Sequence, residues 1–244
     1  MTDKISQARQ DLAAAYRLAY MHGLSEGICN HFTLVVPGKP EKFLLISHGT
    51  HWSEVTASNL LLVSLEGEVL EGEGAVEDTA LYIHAPIHKK RPDLRCLMHT
   101  HQPQTLALAL IEQGDIEPIN QNALRYYNRI ARDDEYSGLA FDQLEGERLA
   151  AKMQDKNILL MANHGILVGA SSVAKAYDDL YYLERTAAAQ ILAMSTGKPL
   201  NRIPQDICER ASQQMMSDSF HRFANDHFSA LKRVLDRNQP DYQN

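Results

Sequence analysis

Two histidines stand one residue apart in a mostly apolar stretch, RCLMHTHQPQTLALA, residues 95–109. If this stretch is a strand, its alternation sends His99 and His101 to the same face. Two imidazole nitrogens at that separation can share one divalent ion. A third imidazole, His164, ends an apolar run and precedes Gly165 in LLMANHGILV, the pattern of a strand entering a tight turn. Were the two strands neighbours, three imidazoles would converge, and three protein ligands with an open position make a catalytic zinc site. HxH also arises by chance, and many buried histidines are merely hydrogen-bonded, so spacing leaves both readings open. His84 and His88 lie one helical turn apart, a spacing that can also bind metal. The plainer expectation is a supporting His84 and an exposed His88.

The elements around these residues read as alternating helices and strands. Residues 5–22 carry apolar residues at helical spacing, and Gly23 follows as a helix stop. HFTLVVPG and KFLLIS are short β-rich runs separated by Pro37-Gly38, and NLLLVSLEGEVLEG repeats the pattern around Glu66-Gly67-Glu68. EDTALYIHAPIHKKRPD reads as a helix capped by Asp78 or Thr79 and stopped by Pro92. LRCLMHTH is a strand, PQTLALALIEQG a helix closed by Gly114, QLEGERLAAKMQ a helix and NILLMANHG a buried strand. A long helix follows, with a serine at its front and Gly197 at its end. This interleaving predicts an α/β fold with helices covering a sheet. The hairpin-connected pairs predict a mixed sheet.

The 244 residues show no repeat or linker, which favours one domain over two, and 44% are apolar, enough for a sizeable core. Net charge is −7 with no Lys/Arg-rich run, so no nucleic-acid partner is expected. No apolar run approaches the ~20 residues of a membrane span, so no membrane partner is expected either. Cys29, Cys96 and Cys208 are far apart and odd in number, which fits a reducing compartment. The opening segment is polar and lacks the apolar core of a signal peptide. A cytoplasmic protein is expected.

RPDLRCLMHTHQPQTLALA and ANHGILVGASSVAKAYDDLYYLE, with GLSEGICNHFTLVVPG and GTHWSEVTASNLLLVS upstream, resemble the class II aldolase/adducin family over roughly residues 8–200. The resemblance implies a three-layer α/β/α domain with a mixed, mostly antiparallel central sheet, here spanning 1–244 with a helical C-terminal extension from about 200. It implies a divalent metal, zinc before manganese, on His99, His101 and His164. It further implies a small-molecule substrate and a homo-oligomer, a tetramer with sites between subunits.

One departure matters. In the sugar-phosphate aldolases of this family a Ser-Ser-Glu segment opens the helix before the HTH strand, and its glutamate is the acid/base. Nineteen residues before His99 this chain has Ala80, and Asp78 and Thr79 stand where the phosphate-binding serines would be. A carboxylate repels phosphate, so a sugar-phosphate aldolase or epimerase ranks last. Glu77, one turn from position 80, can substitute for the missing group, although it and Asp78 also suit a helix N-terminus. No aldol role is expected for it. Asn30 matches an asparagine that helps hold an anionic group, though Gly27 does not directly precede it. His48 and Gly49 match a turn near the same pocket, where a glycine N–H can face an anion. Arg125, Tyr126 and Tyr127 fall where the family has a tyrosine near the site. Tyr126 joins Glu77 as a catalytic candidate, with Arg125 as a clamp for a carboxylate; ordinary packing is the competing reading. The resulting expectation is a metal-dependent lyase, a decarboxylase or retro-aldol enzyme acting on a non-phosphorylated carbonyl or carboxylate compound. A non-catalytic adducin-like interaction module is the alternative.

Overall fold

Whether β-rich runs make one sheet depends on their pairing, which a computed structural model describes for residues 2–244. The strands are β1 (His31–Val36), β2 (Lys39–Leu45), β3 (Leu61–Ser64), β4 (Val69–Glu71), β5 (Cys96–Thr100), β6 (Ile130–Asp133), β7 (Ile158–Met161) and β8 (Gly165–Ala170). They form one eight-stranded sheet in the order β4-β3-β2-β1-β5-β8-β7-β6. Every pair is antiparallel except β6 with β7. The helices are α1 (Thr2–Met21), α2 (Asp78–Lys90), α3 (Pro103–Ala109), α4 (Gln143–Met153), α5 (Val173–Met194), α6 (Gln205–Met215) and α7 (Asp218–Asn238). The mixed α/β architecture is as expected.

The two faces of the sheet differ in chemistry. Phe32, Cys96, Met98, Ile158, Leu160, Ile166 and Val168 join one apolar cluster with Tyr16 of α1 and Tyr177, Leu180 and Leu183 of α5. There Tyr16 stacks on Phe32 at 4.9 Å and meets the edge of Trp52 at 4.9 Å. The Tyr16 hydroxyl donates to the Phe32 carbonyl at 2.7 Å, and burial pushes its pKa up. On the opposite face Leu97, Leu159, Met161 and Leu167 pack with Ile83 and Ile87 of α2 and Leu149 and Met153 of α4. That second face also carries His31, Thr33 and His99, because the β1–β5 register pairs His31 with His99 and Thr33 with Leu97. α4 approaches α2 closely at Gly146, where a Cβ would lie 1.9 Å from the Tyr82 carbonyl oxygen.

Some local expectations change. The cap of α2 is Glu77, not Asp78 or Thr79: its extended backbone lets the carboxylate accept from Ala80 N at 2.7 Å. Helix α3 stops at Ala109 rather than Gly114, because Ile111 and Gly114 bond three residues back and fold the segment into turns. β6 was not expected; its IARD sequence has no clean alternation, and its pairing with β7 supplies the order. His88 is buried, not exposed, since Thr33 and the Leu94 carbonyl satisfy its ring.

Candidate metal centre

Strand pairing and one hairpin bring the three histidines together. His99 is the penultimate residue of β5, His101 is the first residue beyond the strand, and His164 sits in the turn between β7 and β8. Pairing of Thr100 with Ile166 sets that turn beside the end of β5. The ring centroids lie 4.9 Å apart for His99–His101, 4.8 Å for His99–His164 and 5.2 Å for His101–His164. One nitrogen from each lies within 4.8 Å of the others. Gly165 makes the approach possible: a Cβ there would stand 2.6 Å from both the Thr100 carbonyl and the His101 ring.

Hydrogen bonds define which nitrogen faces inward. His99 Nδ1 lies 2.9 Å from the Ile166 carbonyl, which can only accept, so Nδ1 carries the proton. His101 Nδ1 lies 2.6 Å from the Glu26 carboxylate and donates there. Both rings therefore turn Nε2 inward, and these two nitrogens lie 3.1 Å apart. In the neutral form that ligation requires, both nitrogens offer a lone pair to one shared cation. A carboxylate or carbonyl behind each imidazole is how proteins orient metal-binding histidines. Burial pushes His99 well below the usual histidine range, and neighbouring imidazoles add to it. Burial, then His101, lowers His164 to about 4. These two rings are neutral at pH 7, as ligation requires. The cluster suits a divalent ion.

A cavity of about 280 Å³ opens onto the cluster. Asn30, His31, His48, Glu77, Thr79 and Ala80 help to line it. Asn30 sits in the left-handed region at φ 76, an uncommon conformation for a residue other than glycine. Its Oδ1 accepts from His101 N at 3.3 Å, while its buried Nδ2 has no partner. Glu77 Oε2 accepts from Thr79 Oγ1 at 2.5 Å and from Ala80 N, so the capping carboxylate is held at the cavity wall. Ala80 contributes only a fully buried methyl group. Gly49, at φ 84, forms the turn between His48 and Thr50, which both face the cavity.

Arg125 and Tyr126 are not brought to these groups. Arg125 pairs with Asp178 at 2.6 Å and lies 4.0 Å from the Tyr182 ring centre. Tyr126 donates to the Asp179 carbonyl at 2.9 Å, and burial raises its pKa. Both are packed against α5 in this chain. The tyrosine at the cavity is Tyr136, on the loop after β6, 6.5 Å from His164 between ring centres. Sequence reading also passed over Glu26 and His31. The signal for His31 was its place beside Asn30 in CNHFT, but its partner strand is not written locally.

The family described as class II aldolase and adducin N-terminal domain matches residues 10–191. A Caulobacter vibrioides protein, provisionally named an aldolase class 2 protein, is 31% identical over 97% of this chain and 91% of its own length. Rat alpha-adducin is 32% identical over 81% of this chain but only 27% of its own length. The crystal structure of an aldolase II superfamily protein from Pseudomonas syringae superposes with a TM-score of 0.91 at 33% identity, covering 99% of this chain and 96% of that one.

Proposed function

The chain belongs to the family of class II aldolases and adducin N-terminal domains, and on that footing we propose a metal-dependent lyase of decarboxylase or retro-aldol type. Its substrate is a small, non-phosphorylated carbonyl or carboxylate compound. The observation that carries this reading is the pair of inward-facing imidazole nitrogens, His99 Nε2 and His101 Nε2, grouped with His164 in a cavity shared with a carboxylate. The three histidines hold the ion, zinc by the all-nitrogen donor set and manganese as the second choice. When bound, it supplies Lewis-acid polarisation of a substrate carbonyl.

The chain's own groups do the rest. Asn30 Nδ2, buried without a partner, donates to a substrate oxygen. Glu77 is the carboxylate at the wall and, in a decarboxylation, moves the proton that the carbon left by loss of carbon dioxide must take up. Ala80 offers only a methyl group at its own position on that helix start. Glu77, with Asp78 beside it, disfavours a phosphate there, which supports the non-phosphorylated class. We assign the protein to a homotetramer in the cytoplasm. All three cysteines are free, and no helix among the described residues is long and apolar enough to cross a membrane. A second reading, a non-catalytic adducin-like interaction module, draws on the likeness to alpha-adducin and on Ala80.

Metal analysis of the purified protein decides between them. Stoichiometric zinc or manganese, lost in His99→Ala, is the expected result. Folded wild-type protein that takes up neither metal sinks the lyase reading and favours the module.

A further inference from the structure

Behind the cavity, a single file of buried polar groups runs through the face that α2 covers. His88 Nδ1 meets the Leu94 carbonyl at 3.1 Å, His88 Nε2 meets Thr33 Oγ1 at 2.8 Å, Thr33 Oγ1 meets His84 Nδ1 at 2.6 Å, and His84 Nε2 meets His31 Nδ1 at 2.7 Å. None of the four side-chain members is more than 5% exposed. The direction of every bond follows from the first. A carbonyl only accepts, so His88 Nδ1 donates and its Nε2 is an acceptor. The single Thr33 hydroxyl proton goes to it, leaving Oγ1 to accept from His84 Nδ1. His84 Nε2 then accepts from His31 Nδ1. What remains at the open end is His31 Nε2, as a lone pair. The reverse polarity would set the His88 Nδ1 lone pair against the Leu94 carbonyl. Burial keeps the three rings neutral at pH 7, which is consistent with this order.

His31 lines the cavity and is the cross-strand partner of His99. Its Nε2 stands 3.9 Å from Glu77 Oε2, beyond hydrogen-bond reach. Two acceptors facing one cavity at that separation call for a donor on whatever occupies it. A row of neutral imidazoles costs desolvation that an aliphatic core would avoid, and its one directed consequence is the state of that last nitrogen. We propose that His31 is a specificity-determining residue: its Nε2 accepts a hydrogen bond from a hydroxyl of the bound molecule, which narrows the substrate to hydroxylated carbonyl or carboxylate compounds. This rests on the lyase reading for what the cavity binds. Thr33, His84 and His88 are positioning residues that act through His31.

The tautomers can be read without metal or ligand. Nitrogen-15 chemical shifts of labelled histidine in the metal-free protein at pH 7 should assign the proton to Nδ1 in His31, His84 and His88. Thr33→Ser should keep that assignment, while Thr33→Val should let His31 populate the Nε2–H form. His31 carrying its proton on Nε2 in the wild type overturns the proposal. The ligand arm uses zinc-loaded protein with glycolate, against methoxyacetate, which has no hydroxyl proton. Wild type should favour glycolate by roughly tenfold, the effect of one hydrogen bond to a partly buried acceptor. His31→Phe should bring the two acids near parity with zinc content unchanged, and His31→Gln, whose amide oxygen accepts, should recover part of the preference. Full discrimination by His31→Phe, or none by wild type, also overturns it. A failure to take up zinc at all strikes the lyase reading instead and leaves the tautomer result to stand alone.

Discussion

Met98 and His99 are neighbours on β5, yet they face two different interiors. Met98 belongs to the apolar layer under α1 and α5 and is fully buried. His99 is 2% exposed on the face under α2 and α4, in line with His31 and the cavity. The first face is stabilised by area removed from water and by ring packing around Tyr16, Phe32 and Trp52. The second trades some of that for directed hydrogen bonds, which aim lone pairs but stabilise less. The difference teaches that stability and chemistry have been sorted by strand parity.

The largest expected effect breaks the first face alone. Phe32→Ala should cost about 3–5 kcal/mol, the range for truncating a buried aromatic residue, measured by urea denaturation. The surviving folded fraction should still bind its metal. Loss of metal from folded Phe32→Ala protein would mean the two faces are not separable.

Acid should act on the second face. Burial holds His88 at about 4 in the folded protein, against 6.5 for the free side chain. Between those values the unfolded chain takes up a proton that the folded one refuses, so stability falls as pH drops. His88 alone contributes roughly 3 kcal/mol on this scale, fully present above pH 6.5 and gone near pH 4. Urea melts of metal-free protein from pH 7 to 4.5 should show the loss, and His88→Phe should make it shallower, with the other buried histidines keeping the remainder. An unchanged slope in that variant would contradict the assignment.

The smallest effect sharpens the contrast within the site. Glu26→Gln removes the anionic partner of His101 Nδ1 but touches neither core. Metal affinity should fall about 10- to 100-fold, as read by competition with a chelator, while the urea midpoint stays nearly constant.

The metal-facing histidines were legible because their geometry is short-range. Alternation puts His99 and His101 on one face, and Gly165 marks the turn that carries His164. Glu77 was legible as a carboxylate near the site, though its capping of α2 was not. Tyr126 and Tyr136 show the limit. Both lie in irregular segments with nothing local to orient them; packing turned the first toward α5 and set the second at the cavity.

What the sequence determined by itself was the set of short-range facts: which runs alternate, where turns fall, which imidazoles share a strand face, and that position 80 has no carboxylate. The tertiary structure alone decided that β1 lies beside β5 with His31 opposite His99, and that α2 lays His84 and His88 onto Thr33. The physical reason is range. A strand's parity is written every two residues, whereas the register between strands more than sixty residues apart, and the helix packed upon them, emerge only when the whole core closes.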